Sequence, residues 1–207
     1  MGDAVSNHIG FYAQTLRARE PVECQKVRVG DLRFRLAVPS DAEAVAALHA
    51  DSWRRHYRGA YSDDFLDGDV QTERAAVWSE RLSERNGATR TVVAEDDDGL
   101  VGFAHTVFEA DPRWGALIDN LHLVYSEKRR GIGSRLITLA ARPVLARGTG
   151  LYLWVLEQNS DARAFYEARG GRCVERALVP APGGIAGRLN GTPFGLRYAW
   201  SDPAVLL

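Results

Sequence analysis

The segment that most constrains the fold of this chain is a short glycine loop, Arg130-Gly131-Ile132-Gly133-Ser134, between two regular patterns. A β-rich run at 116–124 precedes the loop and predicts a strand. Apolar residues recur at helical spacing after it, which predicts a helix to about Leu145 that Pro143 kinks or ends. Strand, loop and helix therefore follow one another directly. The apolar side of this helix consists of Ile132, Leu136, Leu139 and Ala140.

The loop has the properties of an anion-binding site. Gly131 and Gly133 let a ligand come close to the backbone, and the unpaired N–H groups at the start of a helix attract negative charge. The segment is not a Walker A loop, because no Gly-Lys-Ser/Thr follows, and Leu136 occupies the third glycine position of a Rossmann fingerprint. Nucleoside triphosphates and NAD are therefore disfavoured as ligands. From spacing alone, a pure packing role for the glycines stays open.

The remaining patterns describe a chain that mixes strands and helices without an internal repeat. Alternation of apolar and basic residues predicts the first strand at 32–37, and capping-box spacing at 40–43 predicts a helix after it. A second helix is expected from near Thr72, and the intervening residues 56–68 are expected to form an aromatic loop. Further elements are expected as strands at 91–95, 100–108, 151–156, 172–179 and 194–200, and as a short helix capped by Asn159 or Ser160.

Composition narrows the class of partner. The 207 residues carry a formal net charge of −1, so there is no global attraction for nucleic acid or an anionic membrane, and neither partner is expected. Cys24 and Cys173 are too few for a disulfide framework, and the five histidines lack metal-ligand spacing, so no metal is expected. No signal peptide or membrane-spanning stretch is apparent. A cytoplasmic protein with a small-molecule or protein substrate is the expectation.

Two ordered motifs resemble those of the GNAT superfamily of N-acetyltransferases. Residues 121–133, Leu-His-Leu-Val-Tyr-Ser-Glu-Lys-Arg-Arg-Gly-Ile-Gly, resemble its strand and Gln/Arg-x-x-Gly-x-Gly/Ala loop. Residues 159–171, Asn-Ser-Asp-Ala-Arg-Ala-Phe-Tyr-Glu-Ala-Arg-Gly-Gly, resemble its Asn-x-x-Ala-x-x-Phe-Tyr-x-x-x-Gly-Phe segment. This chain departs from the family pattern at Tyr125, where proline is common, at Lys128, where glutamine or arginine is usual, and at Gly171, where phenylalanine is usual.

The resemblance covers 32–200 and leaves 1–31 as an N-terminal extension and 201–207 as a tail. It implies an α/β (α+β) fold with a mixed, mostly antiparallel central sheet, flanked by helices, in which two splayed strands hold acetyl-CoA. Main-chain groups near Leu123 and Val124 would pair with the pantetheine arm. The residues implied in cofactor binding are Leu123, Val124, Lys128, Arg129, Arg130, Gly131, Ile132, Gly133, Ser134 and Asn159.

The resemblance also implies a reaction, in which acetyl moves from acetyl-CoA to a primary amine of a small molecule or a protein N-terminus by direct attack. Tyr166 matches a family position whose phenol lies near the sulfur and is the candidate general acid, with packing beside Phe165 as the alternative. Asp119 is the preferred candidate base, ahead of His122, and Glu109 and His105 remain open. Three residues separate Asp119 from His122, so their side chains are expected on opposite faces of the strand.

On the acceptor side, Trp53, Tyr57 and Tyr61 are expected to form a wall of the amine site, although core packing explains Trp53 equally well. The loop before the last strand is expected either to cover this site or to contribute to a homodimer. The alternative function is a CoA-binding regulatory or interaction module of the same fold without efficient turnover. A nucleotide-binding protein is a third alternative.

Overall fold

One eight-stranded sheet runs through a computed structural model that describes residues 27–29, 31–84 and 87–207. The strand order is β1-β2-β3-β4-β5-β6-β8-β7, and every neighbouring pair is antiparallel except β5 and β6. The mixed, mostly antiparallel sheet expected from the resemblance is therefore confirmed. In chain order the elements are β1 (Val27–Val29), β2 (Leu32–Leu36), α1 (Ala42–His56), α2 (Asp63–Asp67), α3 (Val70–Ser83), β3 (Thr89–Glu95), β4 (Leu100–Asp111), β5 (Gly115–Leu123), α4 (Ile132–Leu145), β6 (Leu151–Leu156), α5 (Ser160–Ala168), β7 (Arg172–Leu178) and β8 (Phe194–Trp200).

Helices cover both faces of the sheet. Helices α1 and α3 pack Leu48 and Trp78 against Val93 and Phe103, which defines the α1/α3 face. On the opposite side, which we call the α4/α5 face, α4 supplies the apolar stripe expected from its sequence. This arrangement satisfies the hydrophobic side of each amphipathic helix by burial against the sheet. No helix among the described residues combines the length and the apolar character that a membrane crossing requires.

Three sequence predictions need correction or refinement. The strand expected first at 32–37 is the second, because Val27–Val29 already pairs with it, so the sheet begins inside the segment assigned to the N-terminal extension. Residues 56–68 are not wholly a loop, because they contain helix α2. Helix α4 passes Pro143 and ends at Leu145, as expected for a proline in the last turn. The part of the extension before Val27, with Cys24, lies outside the described residues.

Strands β5 and β6 separate along their length. Their parallel pairing is confined to Ala116–Ile118 of β5 and Leu151–Leu153 of β6. Beyond Ile118 and Leu153 no ladder joins the two strands, so a gap opens between their C-terminal halves. The expected splayed strands are present, and the glycine loop follows directly from the wide end of the gap.

A β-bulge interrupts β5 on its other edge. His105 of β4 pairs with Asn120, whereas Thr106 pairs with Ile118, so Asp119 has no partner across the ladder. An extra residue of this kind changes which way the following side chains point relative to those before it. The bulge therefore alters the faces of β5 residues at the start of the gap.

Candidate functional site

The backbone of the glycine loop leaves N–H groups free at the start of α4. Gly131 is the residue before the helix and has φ of 79°, and Arg129 also adopts a positive φ of 66°. The first N–H to bond within the helix is that of Arg135, to the carbonyl of Gly131. No acidic side chain lies in the first turn to compete for the preceding N–H groups. This backbone is suited to a phosphate group.

Close packing explains the second glycine of the loop. A Cβ atom on Gly133 would lie 3.4 Å from Leu123 Cδ1 and 3.5 Å from Phe165 Cζ. Gly133 is itself buried, and Ser134 behind it is partly buried. The loop, the end of β5 and α5 therefore meet at Gly133, which brings the two sequence motifs together in space.

The basic side chains of the loop have protein partners. Lys128 Nζ lies 3.2 Å from His56 Nε2 and 4.7 Å from the centroid of the Tyr125 ring. Arg130 pairs with Glu127 and, at 3.2 Å, with Asp31. Arg129 is exposed. The contact between Lys128 and His56 joins the glycine loop to the end of α1, and no local pattern predicts this contact.

The backbone of Val124 is already satisfied within the fold. Its N–H donates to the carbonyl of Val101 at 2.9 Å, and its carbonyl accepts from the N–H of Glu127 at 3.0 Å. Leu123 ends β5, where it pairs with Gly102 of β4. A cofactor arm in the gap would thus find little free main chain at Val124.

Asn159 caps α5 at the far side of the gap. Its Oδ1 accepts from the N–H of Ala162 at 3.2 Å, which confirms the expected cap. Its Nδ2 atom makes no hydrogen bond within the described part of the chain. The free amide donor lies at the start of the helix that carries Tyr166.

Tyr166 is buried on α5 among aromatic rings. The centroids of Phe165, Tyr198 and Trp200 lie 5.4, 6.0 and 6.2 Å from that of Tyr166. Burial raises the pKa of the Tyr166 phenol well above its ordinary value, and the nearby Tyr57 raises it further. The phenol is therefore a neutral hydrogen-bond donor at physiological pH.

Asp119 projects from the bulge onto the α1/α3 face. Its Oδ2 accepts from Arg81 Nη1 of α3 and from Asn120 Nδ2, each at 2.7 Å. Burial alone would raise the pKa of this carboxyl, but the charge of Arg81 and its hydrogen bond to Asp119 hold that pKa below its usual value. Asp119 is consequently an ionised acceptor at neutral pH.

His122 shares the α1/α3 face with Asp119, so the expectation of opposite faces is wrong. The physical reason is the bulge at Asp119, which cancels the alternation over this interval. His122 Nδ1 lies 2.8 Å from Ser52 Oγ of α1. Burial lowers the pKa of His122 to about 3, with a further contribution from His56.

A cluster of histidines on this face was not anticipated from the sequence. Trp78 Nε1 donates to His49 Nδ1 at 2.9 Å, and the His49 and His122 rings lie 4.5 Å apart. His105 Nδ1 lies 2.8 Å from Thr91 Oγ1, and burial lowers the pKa of His105 to about 4. Strand alternation could not reveal this cluster, because His49 lies on α1 and the bulge at Asp119 interrupts the alternation of β5 before His122. Glu109 stands apart from it, exposed and with φ of 54°.

The three aromatic residues expected as an acceptor wall come together. Ring centroids of Trp53, Tyr57 and Tyr61 lie 5.0 to 5.3 Å from one another. Burial, together with the charge of Asp119, raises the pKa of Tyr57 to about 12. The guanidinium of Arg74, which sequence reasoning missed, lies 4.4 Å from the Trp53 ring. Arg74 shares the buried stripe of α3 with Val70, Trp78 and Leu82.

The loop before β8 pairs with the aromatic loop. The N–H of Ser62 donates to the carbonyl of Arg188 at 3.0 Å, and the N–H of Asn190 donates to the carbonyl of Ala60 at 2.9 Å. A cavity of about 280 Å³ lies at this junction, beside the end of β6. It is lined by Gly59, Leu156, Glu157, Gln158, Asn190, Thr192, Pro193 and Phe194.

Comparison with known proteins identifies the family. The model of the Acetyltransferase (GNAT) family matches residues 47–171. A probable N-acetyltransferase of Mycobacterium tuberculosis is 30% identical over 69% of this chain and 81% of its own length. An uncharacterized N-acetyltransferase of Bacillus subtilis, YuaI, is 28% identical over 62% of this chain and 73% of its own length.

The fold is also that of known structures. The crystal structure of PaiA N-acetyltransferase from Thermoplasma acidophilum, in complex with coenzyme A, is similar with a TM-score of 0.64. The match covers 82% of this chain and 99% of that chain at 18% identity. With the fold, the two motifs and the family match in agreement, this chain belongs to the GNAT family of acetyltransferases. It is an acyltransferase whose co-substrate is acetyl-CoA.

Proposed function

We propose that this protein acetylates a primary amine of a small molecule or of a protein N-terminus by direct attack on acetyl-CoA. The observation that carries the proposal is the pair of groups beside the gap between β5 and β6. A buried neutral phenol, Tyr166, lies on the α4/α5 face, and an ionised carboxylate, Asp119, lies on the α1/α3 face. Tyr57 contributes to the raised pKa of Tyr166, and the charge of Asp119 contributes to the raised pKa of Tyr57, which supports the proposal that the three groups serve one site.

The residues of the loop fit the phosphates of coenzyme A. The free N–H groups of residues 131–134 and the absence of a first-turn acid in α4 favour the pyrophosphate at this place. Lys128, Arg129 and Arg130 add positive charge around it. Leu123 and Val124 would flank the pantetheine arm, with Asn159 Nδ2 as a donor from α5. Acetyl-CoA supplies an activated thioester to this site.

Tyr166 and Asp119 have complementary tasks in this proposal. A C–N bond forms and a C–S bond breaks, and the departing thiolate takes the proton of Tyr166, which the phenol then regains from water because its pKa is raised. Asp119 accepts a hydrogen bond from the amine, and the proton lost by nitrogen passes to water. Because the pKa of Asp119 and that of His122 are both lowered, neither group retains that proton at neutral pH.

The acceptor approaches from the α1/α3 face in this account. Trp53, Tyr57 and Tyr61 would wall the site, and the loop that pairs with residues 60–62 would cover it. The preorganised position of these groups supplies orientation, which is the main contribution a site can make to amine attack.

Release of free CoA from acetyl-CoA across a panel of primary amines tests the proposal. The wild-type protein should release CoA only when an accepted amine is present, and Tyr166→Phe should lower kcat about a hundredfold or more, the scale of general acid catalysis. Tyr198→Phe is the matched control, because its phenol packs in the same aromatic cluster but donates to Glu167 at 2.5 Å. Binding of CoA without acceptor-dependent release would contradict the proposal and favour a non-catalytic module.

A further inference from the structure

Arg74 occupies the centre of the polar cluster on the α1/α3 face. It is 8% exposed, and its guanidinium stacks 4.4 Å from Trp53 of the aromatic wall. Its charge acts on the ionisation of five neighbours from helix α1, the loop after it and strand β5. These are His49, Tyr57, Tyr61, Asp119 and His122. Every group that we place on the acceptor side thus lies within the field of this one cation.

The hydrogen bonds of Arg74 are incomplete. Its Nε and Nη2 atoms both donate to the adjacent Glu73. Its Nη1 atom makes no hydrogen bond within the described part of the chain. Arg81, the other arginine of α3 on this face, directs its Nη1 to Asp119 instead. A guanidinium has five N–H donors, so the N–H groups of Arg74 Nη1 are available to a further acceptor.

The local charges do not balance. Among the residues that the structure describes, the ion pairs of Arg74, Arg81 and Arg188 involve only two carboxylates, Glu73 and Asp119. Glu73 pairs with Arg74 and, at 3.6 Å, also with Arg188 of the loop before β8. The guanidinium of Arg188 lies 4.4 Å from the centroid of the Phe65 ring. The histidines of the face add no charge at neutral pH, because burial lowers the pKa of each. Three guanidinium groups therefore share two carboxylates, which leaves one positive charge without a carboxylate of its own.

We propose that the amine acceptor carries a carboxylate and that the free Nη1 edge of Arg74 binds it. This inference rests on the proposed function and names its substrate class: an aminocarboxylate, such as an amino acid or the acidic first residue of a peptide. A polyamine brings only positive charge to three arginines and is disfavoured. Guanidinium and carboxylate match in geometry and charge, which makes arginine the residue suited to this recognition.

Matched acceptors give the direct test. We expect the kcat/KM of the wild-type protein to be about ten- to hundredfold higher for phenylalanine than for phenethylamine, and for β-alanine than for propylamine, the range of one charge-assisted hydrogen bond. C-terminally amidated peptides that begin with Asp or Ala separate the two sources of the carboxylate. Preference for the Asp peptide over free amino acids assigns it to a peptide side chain, and the reverse assigns it to a free aminocarboxylate.

Variants then assign the preference to Arg74. Arg74→Lys keeps the positive charge but loses the planar set of N–H donors. The double variant Glu73→Gln with Arg74→Gln removes both members of the ion pair, so that neither charge is left without its partner. In both variants the ratio of the kcat/KM for phenylalanine to the kcat/KM for phenethylamine should fall about ten- to hundredfold. Arg142→Gln, at an exposed position in the last turn of α4, should leave this ratio unchanged.

The failures of the two proposals are distinguishable. Turnover of spermidine or of amines that lack a carboxylate, with no preference for the matched aminocarboxylates, would overturn this inference. Amine acetylation itself would still stand. A preference that persists in both Arg74 variants would also overturn it. Absence of acceptor-dependent CoA release with every amine would instead contradict the proposed function itself.

Discussion

Asp119 and His122 present their side chains to the same face of β5, although three residues separate them. The bulge at Asp119 produces this arrangement, and it places the carboxylate beside the gap between β5 and β6. The imidazole of His122 is held by Ser52 and the carboxylate of Asp119 by Arg81, so each group has a fixed orientation. A polar site thus forms against an otherwise apolar sheet, and the pKa values of Asp119 and His122 are both lowered there.

Stability should fall as the medium becomes acidic, because the buried histidines resist protonation. The pKa values of His105 and His122 are lowered to about 4 and about 3 in the folded protein. In the unfolded chain a histidine has a pKa of about 6.5, so below that pH the unfolded state binds more protons than the folded state. The resulting stability is present above pH 6.5 and is lost as the pH falls towards the folded values, by about 2 kcal/mol for each group at pH 5. Urea denaturation between pH 7 and pH 5 measures this loss. His105→Gln should reduce the slope, and an unchanged slope would contradict the assignment.

Gly131→Ala should weaken acetyl-CoA binding and destabilise the fold. Gly131 has φ of 79°, which an L side chain adopts only at a cost of about 1–2 kcal/mol. We expect a higher KM for acetyl-CoA and a lower denaturation midpoint. Gly187→Ala is the matched control, since a Cβ atom there meets nothing within 4 Å and its φ is not positive. Equal effects of the two substitutions would argue against a strained anion-binding loop.

The pH dependence of turnover should follow the acceptor rather than the protein. No histidine of the α1/α3 face titrates near neutrality, since burial lowers the pKa of His49, His105 and His122. For an alkylamine with a pKa of about 10, kcat/KM should rise about tenfold per pH unit between pH 6.5 and 9. An acceptor with a pKa of about 8 should level off near that value. An inflection near pH 6.5 that is common to both acceptors would indicate a protein base instead.

Local sequence signals predicted much of the fold. The helix after the glycine loop, the cap at Asn159 and the hairpin of β3 and β4 depend on residues close together in the chain. Helix α2 escaped prediction because five residues cannot show a helical period. Strand β1 escaped prediction because three residues are too few to show the alternation of a strand.

The site was less predictable, because its contacts are long-range. The bulge at Asp119 depends on how β4 pairs with β5, which no pattern within β5 reveals. Arg74 was missed because an arginine on an amphipathic helix is ordinarily solvated, whereas here the stripe of Val70 and Trp78 carries it inward. The contact of Lys128 with His56 joins residues 72 positions apart.

Substitution of Asp119 tests the central claim, that the amine is acetylated at the α1/α3 face beside this carboxylate. Steady-state kinetics of Asp119→Asn, with acetyl-CoA and acceptor varied separately, measure it most directly. We predict that kcat/KM for the acceptor falls about tenfold or more, the scale of a lost charge-assisted contact, while the KM for acetyl-CoA stays within about twofold of wild type. Unchanged acceptor kinetics in a folded Asp119→Asn protein would contradict the account.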